Sequence, residues 1–277
     1  TGVGTITVGS GVTIYNEGGG SAYIGFATHN VRIGDSTTGQ SLTSGKNNTF
    51  IGAGAGLCNT SGNNNNFIGE CAGSSNTTGA CNNFFGFLSG CSNTTGINNN
   101  FLGQAAGCCN TTGCHNTFIG AYVGRSNTTG NNNVAIGNSA GFCNTEGTDN
   151  IFFGNRAGYG NTTGSSNNFF GYQSGYSNTT GCHNTFIGKC VGYGNTTGAF
   201  NNFLGFYAGL CNTTGCHNTF IGNLAGRTNT EGSFNNFLGL CAGCSNTTGC
   251  HNTFIGNLAG RCNTTGGSNN FFGPSAG

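Results

Sequence analysis

Residues 216–232 read CHNTFIGNLAGRTNTEG, and similar segments of the same length fill the chain from residue 46 to its end. Phe220 of this segment recurs at every seventeenth position from Phe50 to Phe271, with Ala135 as the exception, giving 14 copies, the last incomplete. Asn stands two residues before each of these positions, and Gly stands two and six residues after it. A period this short and regular is typical of repeats that stack on one another, so we expect an elongated repeat protein.

The composition excludes several classes of protein. Only 5% of the 277 residues are charged and the formal net charge is +1, so the chain offers no basic surface for nucleic acid and no polybasic membrane patch. No run of 18 apolar residues occurs, so we expect no membrane insertion. Gly is abundant, with 56 residues, but the fixed spacing of large apolar side chains favours order over disorder.

Each copy predicts one coil of a parallel β-solenoid or β-roll. Two short extended stretches, Asn218–Ile221 and Asn223–Ala225, are separated by Gly, and a turn of the Asn-Thr-Thr-Gly type closes the copy. Helix is excluded because clustered Asn and Thr and recurrent Gly all oppose it, whereas the aromatic and β-branched residues favour strand. Coils stacked about 4.8 Å apart would form a rod roughly 60 Å long.

The Phe-aliphatic pair of each copy predicts both a core and an exposed stripe. Neighbouring residues of a strand point to opposite faces, so Phe220 or Ile221 fills the coil and the other lies outside. The pairs that we assign to the structural core are Phe118 and Ile119, Phe186 and Ile187, Phe220 and Ile221, and Phe254 and Ile255. Repeated along the array, the outer members form a larger apolar stripe than a soluble monomer usually exposes.

Two arrangements would cover that stripe. Three copies of the chain around a threefold axis would bury it in a homotrimer. Alternatively, two consecutive repeats would form one broad coil of a monomeric solenoid. From Cys182 onward the copies alternate between two types, which doubles the period and is consistent with the second arrangement.

The Asn of the turn predicts a ladder along the rod. Its members are Asn110, Asn127, Asn144, Asn161, Asn178, Asn195, Asn212 and their equivalents in the other copies. Stacked Asn side chains bond to one another along the axis of cross-β arrays, and such bonds satisfy polar groups at the corners.

Two motifs resemble those of known fibre proteins. Asn133–Ala140, with the sequence NVAIGNSA, resembles the repeat unit of YadA-like head domains in trimeric autotransporter adhesins. The Asn-Thr-Thr-Gly copies resemble repeats of phage and bacterial tail-fibre-like proteins. The resemblance covers residues 46–277 and implies a trimeric, left-handed, parallel β-roll in an extracellular or virion fibre.

Residues 1–45 lack the repeat and form a separate, irregular, β-rich shaft segment in our prediction. Short strand-like runs occur at Thr5–Val8, Val12–Tyr15, Ala22–Ile24 and Val31–Ile33. The interval from Gly34 to Gly52 exceeds the period by a single position, so residues 31–45 are expected to form an imperfect first coil. The chain starts at Thr1 and stops within a repeat, from which we expect a segment of a longer fibre protein.

Sixteen Cys residues suggest partial disulfide bonding. The candidate bridges are Cys109 with Cys114 and Cys211 with Cys216 across a turn, and Cys91 with Cys108 on adjacent coils. Against such bridges, one shared position also accepts Ser, Gly or Thr in other copies, which favours a role of Cys as a small packing residue; its Cys residues are Cys58, Cys109, Cys143, Cys211 and Cys262. His115, His183, His217 and His251 each follow a Cys, but their spacing matches no zinc module, so we expect no metal and no cofactor.

No catalytic arrangement of residues stands out from the repeat, so an enzyme is not expected. The first hypothesis is a structural or adhesive fibre segment, a phage tail-fibre or cell-surface adhesin shaft on the virion surface or outside the cell. Such a shaft self-associates and projects a region that binds a host-cell receptor or glycan. The alternatives are an ice-binding solenoid with Thr and Asn ladders and a subunit of a self-assembling extracellular filament.

Overall fold

A computed structural model describes residues 12–15, 21–25 and 29–277, and all of its regular structure is β-strand. The strands are β1 Val12–Tyr15, β2 Ser21–Gly25, β3 Val31–Gly34, β4 Thr49–Ile51, β5 Asn66–Ile68, β6 Asn83–Phe85, β7 Asn100–Leu102, β8 Thr117–Ile119, β9 Val134–Ile136, β10 Ile151–Phe153, β11 Asn168–Phe170, β12 Thr185–Ile187, β13 Asn202–Leu204, β14 Thr219–Ile221, β15 Asn236–Leu238, β16 Thr253–Ile255 and β17 Asn270–Phe272.

Each copy of the repeat contributes one strand to a parallel, in-register sheet. Strands β3 to β17 pair in chain order, so that Phe203 of β13 lies opposite Phe220 of β14, which in turn lies opposite Phe237 of β15. The fold class is therefore the predicted all-β parallel solenoid. The alternative of a broad coil built from two copies is wrong, because neighbouring strands come from consecutive copies.

The second predicted strand of each copy is a turn. Residues 223–225 follow β14 without strand structure, because Gly222, Leu224 and Gly226 have φ angles of 136°, 61° and 57°. An extended strand requires negative φ, so these residues bend the chain back toward the coil. Gly222 has a further constraint, since a Cβ atom there would press on the backbone carbonyl of Gly239 in the next coil.

The core is a single column of Phe rings with a column of small residues beside it. Phe50, Phe67, Phe84, Phe101, Phe118, Phe152, Phe169, Phe186, Phe203, Phe220, Phe237 and Phe254 are all fully buried. Consecutive rings stack with centroids 4.6–5.4 Å apart, close to the spacing predicted for the coils. Ala225 and its equivalents, which are Ala, Val or Ser, complete the packing.

Two buried columns of Asn hold the coils together. In the turn column, Asn212 donates from Nδ2 to Oδ1 of Asn195 at 2.8 Å and to the Gly215 carbonyl at 3.0 Å. In the second column, two residues before each Phe, the backbone N–H of Asn218 donates to Oδ1 of Asn201 at 3.0 Å. Every buried side-chain polar atom of the described residues has a hydrogen-bond partner.

The N-terminal strands lead into the array. β1, β2 and β3 occupy three of the four predicted strand-like runs, whereas Thr5–Val8 lies outside the described residues. β1 pairs with β2 and β2 with β3 in antiparallel fashion, and β3 then pairs in parallel with β4. Arg32 of β3 lies opposite Phe50, where a coil of the array has Phe, and its Nη1 donates to the Gly39 carbonyl at 3.1 Å. A polar coil therefore covers this end of the Phe column.

Candidate functional site

The outer face of the sheet carries a continuous apolar column, which we call the outer stripe. It consists of Ile51, Ile68, Phe85, Leu102, Ile119, Ile136, Phe153, Phe170, Ile187, Leu204, Ile221, Leu238, Ile255 and Phe272. Ile187, Leu204 and Ile221 are 40%, 44% and 39% exposed, while the Phe before each of them is buried. Each coil closes on its own Phe, so none of the described residues covers the outer stripe.

The predicted Phe-aliphatic pairs are thus divided between two environments. Phe118, Phe186, Phe220 and Phe254 lie in the core. Ile119, Ile187, Ile221 and Ile255, which we also assigned to the structural core, are exposed on the outer stripe. The reason is the two-residue period of a strand, which places neighbouring side chains on opposite faces.

A polar column accompanies the outer stripe on the same face. It lies two residues earlier in each strand and holds Thr or Asn in most coils, as in Thr185, Asn202 and Thr219. Where Asn residues follow one another they bond along the axis, as Asn66 Nδ2 does to Asn83 Oδ1 at 2.8 Å. The face therefore has one polar and one apolar side chain per coil, except in the two coils where Val134 and Ile151 replace the polar residue.

Further apolar side chains lie beyond the glycine corner that follows each strand. Phe87, Tyr172, Phe206 and Leu240 are all exposed at the same offset in their copies. On the opposite side of the strand, His183, Phe200, His217, Phe234 and His251 form a stack of five rings with centroids 4.8–5.0 Å apart. The apolar surface thus extends past both sides of the outer stripe in the C-terminal half of the array.

The structure places the predicted turn ladder inside the coil. Asn110, Asn127, Asn144, Asn161, Asn178, Asn195 and Asn212 are buried and bonded to one another as the Asn212 example shows. The second Asn column is visible in the sequence, but its pattern alone predicted no role for it. Its recurrence in every copy, including copies in which the turn residues vary, was the signal for a buried position.

The Thr residues of the turn differ in their accessibility. The first Thr is half-buried, and its hydroxyl donates to the carbonyl of the equivalent Thr in the next coil, as Thr213 Oγ1 does to Thr230 at 3.1 Å. The second Thr, such as Thr180 or Thr214, is exposed. One column of exposed Thr side chains therefore faces solvent at the turn.

All 16 Cys residues are free thiols in the structure. The predicted bridges across the turn are absent, and Cys114 and Cys216 donate from Sγ to the carbonyls of Thr112 and Thr214, each at 3.2 Å. Their predicted partners Cys109 and Cys211 are likewise free thiols. By contrast, the sulfurs of Cys91 and Cys108 are 2.9 Å apart.

A groove of about 660 Å³ interrupts the regular surface near Tyr193. Gly194 follows Tyr193 in its lining, at an offset where the two neighbouring coils have Ser177 and Cys211. Cys190, Tyr207 and Leu210 also line it. Burial raises the pKa of the Cys190 thiol and of the Tyr193 hydroxyl, so both are protonated near neutral pH.

No known protein family, curated protein or solved structure matches this chain. Within residues 12–15, 21–25 and 29–277, no three His, Cys, Asp or Glu side chains are grouped as they would be around a metal ion. The same residues include no helix with the length and apolar character needed to span a bilayer.

Proposed function

We propose that this chain is a structural fibre segment that self-associates as a homotrimer through the outer stripe. The observation that carries this proposal is the uncovered apolar column along the sheet, which has the same geometry in every coil. In a threefold arrangement each stripe would meet the other two and form a shared core along the axis. The segment would then act as a stiff spacer.

The energetics favour association over the length of the array but not over a single coil. Covering the exposed part of one Ile or Leu contributes about 1 kcal/mol. Association costs on the order of 4–15 kcal/mol in lost translational and rotational freedom. A stripe present in all 14 coils is long enough to offset that cost, whereas a few coils are not.

The setting that fits such a spacer is the shaft of a phage tail fibre or a cell-surface adhesin. A shaft of this kind projects a region that binds a receptor or glycan on a host cell, and it lies on the virion surface or outside the cell. The support is the rod-like stack, the near absence of charge and the family resemblance of residues 133–140. An end-to-end filament of the same units differs only in how the rods join.

An ice-binding role has less support from the Thr residues than the sequence suggested. The hydroxyl of the first Thr of each turn is engaged with the next coil, which leaves a single exposed column rather than a two-dimensional array. Thermal hysteresis of the purified chain distinguishes the two functions: a measurable freezing-point gap would favour ice binding, and its absence would favour the fibre.

The trimer is tested by the mass of the chain in solution. We expect light scattering after gel filtration to give three times the 27.9 kDa chain mass. Ile187→Ser, Leu204→Ser and Ile221→Ser together should shift the mass toward that of one chain. Thr180→Ser, Thr197→Ser and Thr214→Ser, in the exposed turn column, are the matched control and should leave the trimer intact. A monomeric parent protein, or equal effects of the two triple variants, would contradict the proposal.

A further inference from the structure

Cys91 and Cys108 are the only two Cys residues that occupy the same offset in consecutive copies. They are one period apart, in the third and fourth copies of the array. Cys182, Cys216 and Cys250 also share an offset, but they lie two coils apart, and Ala199 and Ser233 stand between them. Two coils correspond to about 9.6 Å, which is beyond the reach of a disulfide.

The backbone holds the two thiols in contact. Ser92, next to Cys91, donates its backbone N–H to the Cys108 carbonyl at 3.0 Å, so the two coils are bonded at the level of the pair. The sulfurs are 2.9 Å apart, and Cys91 Sγ also lies 3.4 Å from the Cys108 carbonyl oxygen. Adjacent strands are spaced about 4.8 Å apart, within the range of Cα separations found for disulfides. A bridge therefore requires only a small approach of the two sulfurs.

The two thiols differ in reactivity. The hydrogen bond between the two sulfurs, in which either can be the donor, lowers the pKa of Cys91 and raises the pKa of Cys108. Cys91 is therefore the member of the pair that ionises more readily, and the thiolate is the form that attacks disulfides. The positive charge of Arg125, one coil beyond Cys108, favours ionisation of Cys108 once the hydrogen bond to Cys91 is lost.

We propose that Cys91 and Cys108 form a redox site that reacts with low-molecular-weight disulfides to give an intrachain bridge between two coils. The Cys91 thiolate attacks one sulfur of the small disulfide, the sulfur–sulfur bond breaks, and the leaving thiolate takes up a proton. Cys108 then loses its proton and attacks Cys91 Sγ, which releases the second small thiol. Two protein thiols are oxidised and one disulfide is reduced to two thiols, so the step balances.

The pair Cys241 and Cys244 is the nearest rival for this chemistry. Both residues lie in one turn, three residues apart, and the Cys244 N–H donates to the Cys241 carbonyl at 3.3 Å. Burial raises the pKa of Cys244 to about 11, so this thiol stays protonated at neutral pH. We expect the rival pair to react later than Cys91 and Cys108.

The test is to treat the reduced 277-residue chain with oxidised glutathione at pH 7 and to follow each cysteine with time. Free thiols are alkylated after set intervals, the chain is cleaved with chymotrypsin, which cuts after Phe101, and the peptides are identified by mass spectrometry. We expect a peptide cross-linked through Cys91 and Cys108 to appear first, while the other 14 thiols are still alkylated. Dithiothreitol should reverse the cross-link.

Single substitutions distinguish the role of Cys91, which attacks the small disulfide, from that of Cys108, which completes the bridge. Cys108→Ser should leave a lasting glutathione adduct on Cys91, whereas Cys91→Ser should abolish the cross-link and leave Cys108 free for alkylation. Ser74 occupies the same offset one coil earlier, so Ser is compatible with the fold at both positions. Cys182→Ser is the control and should leave the cross-link unchanged. Earlier oxidation of Cys241 and Cys244, or no adduct on Cys91 in the Cys108→Ser chain, would overturn the proposal whatever the oligomeric state.

Discussion

At the scale of single residues, the Phe column has one internal gap, at Ala135. The ring stack runs without a break from Phe50 to Phe118 and resumes at Phe152. Next to the gap, the planes of Phe152 and Phe169 are inclined by 25°, compared with 7° for Phe169 and Phe186. Of the two rings that border the gap, Phe152 is turned out of line with the stack, whereas Phe118 stays within 7° of Phe101.

We predict that Ala135→Phe stabilises the protein by about 2 kcal/mol, because it buries a ring and restores two stacking contacts. Its midpoint of thermal or denaturant unfolding should rise. Ala121→Phe is the matched control: it adds the same atoms at an outer offset that holds Phe in Phe87 and Phe206, and should change the midpoint little. A lower midpoint for Ala135→Phe would show that the core has repacked around the Ala.

The turn ladder gives a second prediction at this scale. Asn212→Ala would remove the donor to Asn195 and Gly215 and the acceptor for Asn229. Each unsatisfied buried group costs about 1 kcal/mol or more, so the free energy of unfolding should fall by about 3 kcal/mol. Asn223→Ala, on the exposed turn, should change it by less than about 0.5 kcal/mol. Equal effects in denaturant titrations would count against a structural role of the ladder.

At the scale of one coil, the strand was predictable and the turn after it was not. Asn218–Ile221 has the aromatic and β-branched residues of a strand, and β14 lies within it. Asn223–Ala225 suggested a second strand because Leu224 and Ala225 are apolar, yet Leu224 has positive φ, which no local propensity of Leu indicates. Contacts with the neighbouring coils, which the sequence of a single copy does not contain, select that conformation.

The glycine after each strand is the most restrictive position of the coil, and we predict that Gly188→Ala destabilises the protein by about 3 kcal/mol or more. Its φ of 132° lies in a region that only Gly occupies without strain, and the new Cβ would be 2.6 Å from the Gly205 carbonyl oxygen. Gly194→Ser, in the same coil, is the control, because Ser177 and Cys211 occupy that offset in the neighbouring coils. Similar unfolding midpoints for the two variants would refute this assignment.

At the scale of the whole molecule, the repeat period was sufficient to predict the architecture. The arrangement of the surface side chains became clear only from the structure. The constant spacing of the Phe residues predicted in-register stacking, which the pairing of Phe203 with Phe220 confirms. The sequence also predicted an exposed apolar column from the Phe-aliphatic pair. From the sequence alone, the pair Cys91 and Cys108 could not be distinguished from the bridges proposed across the turns. The direction of a side chain at a corner depends on backbone angles, and composition does not specify those angles.

Removal of a complete copy should be tolerated, and removal of part of a copy should not. Deleting residues 199–215 takes out one whole period and brings Phe186 next to Phe220, so the stack continues with one coil fewer. Deleting residues 199–206 leaves a fragment that has lost its strand and must loop out. We expect the first chain to keep the parental circular dichroism and protease resistance and the second to lose both in part. Equal behaviour would mean that the coils do not stack as a series.

Because every coil has the same cross-section, the length of this protein can change in steps of one coil. Because each coil meets its neighbours through the same columns of Phe and Asn, a tandem duplication or loss of one copy in the gene creates no new kind of contact. Unequal recombination between such similar segments could therefore lengthen or shorten the rod by one coil at a time. The length of the rod would then change across generations by the height of one coil at a time, while its cross-section and the pattern of its surface stayed the same.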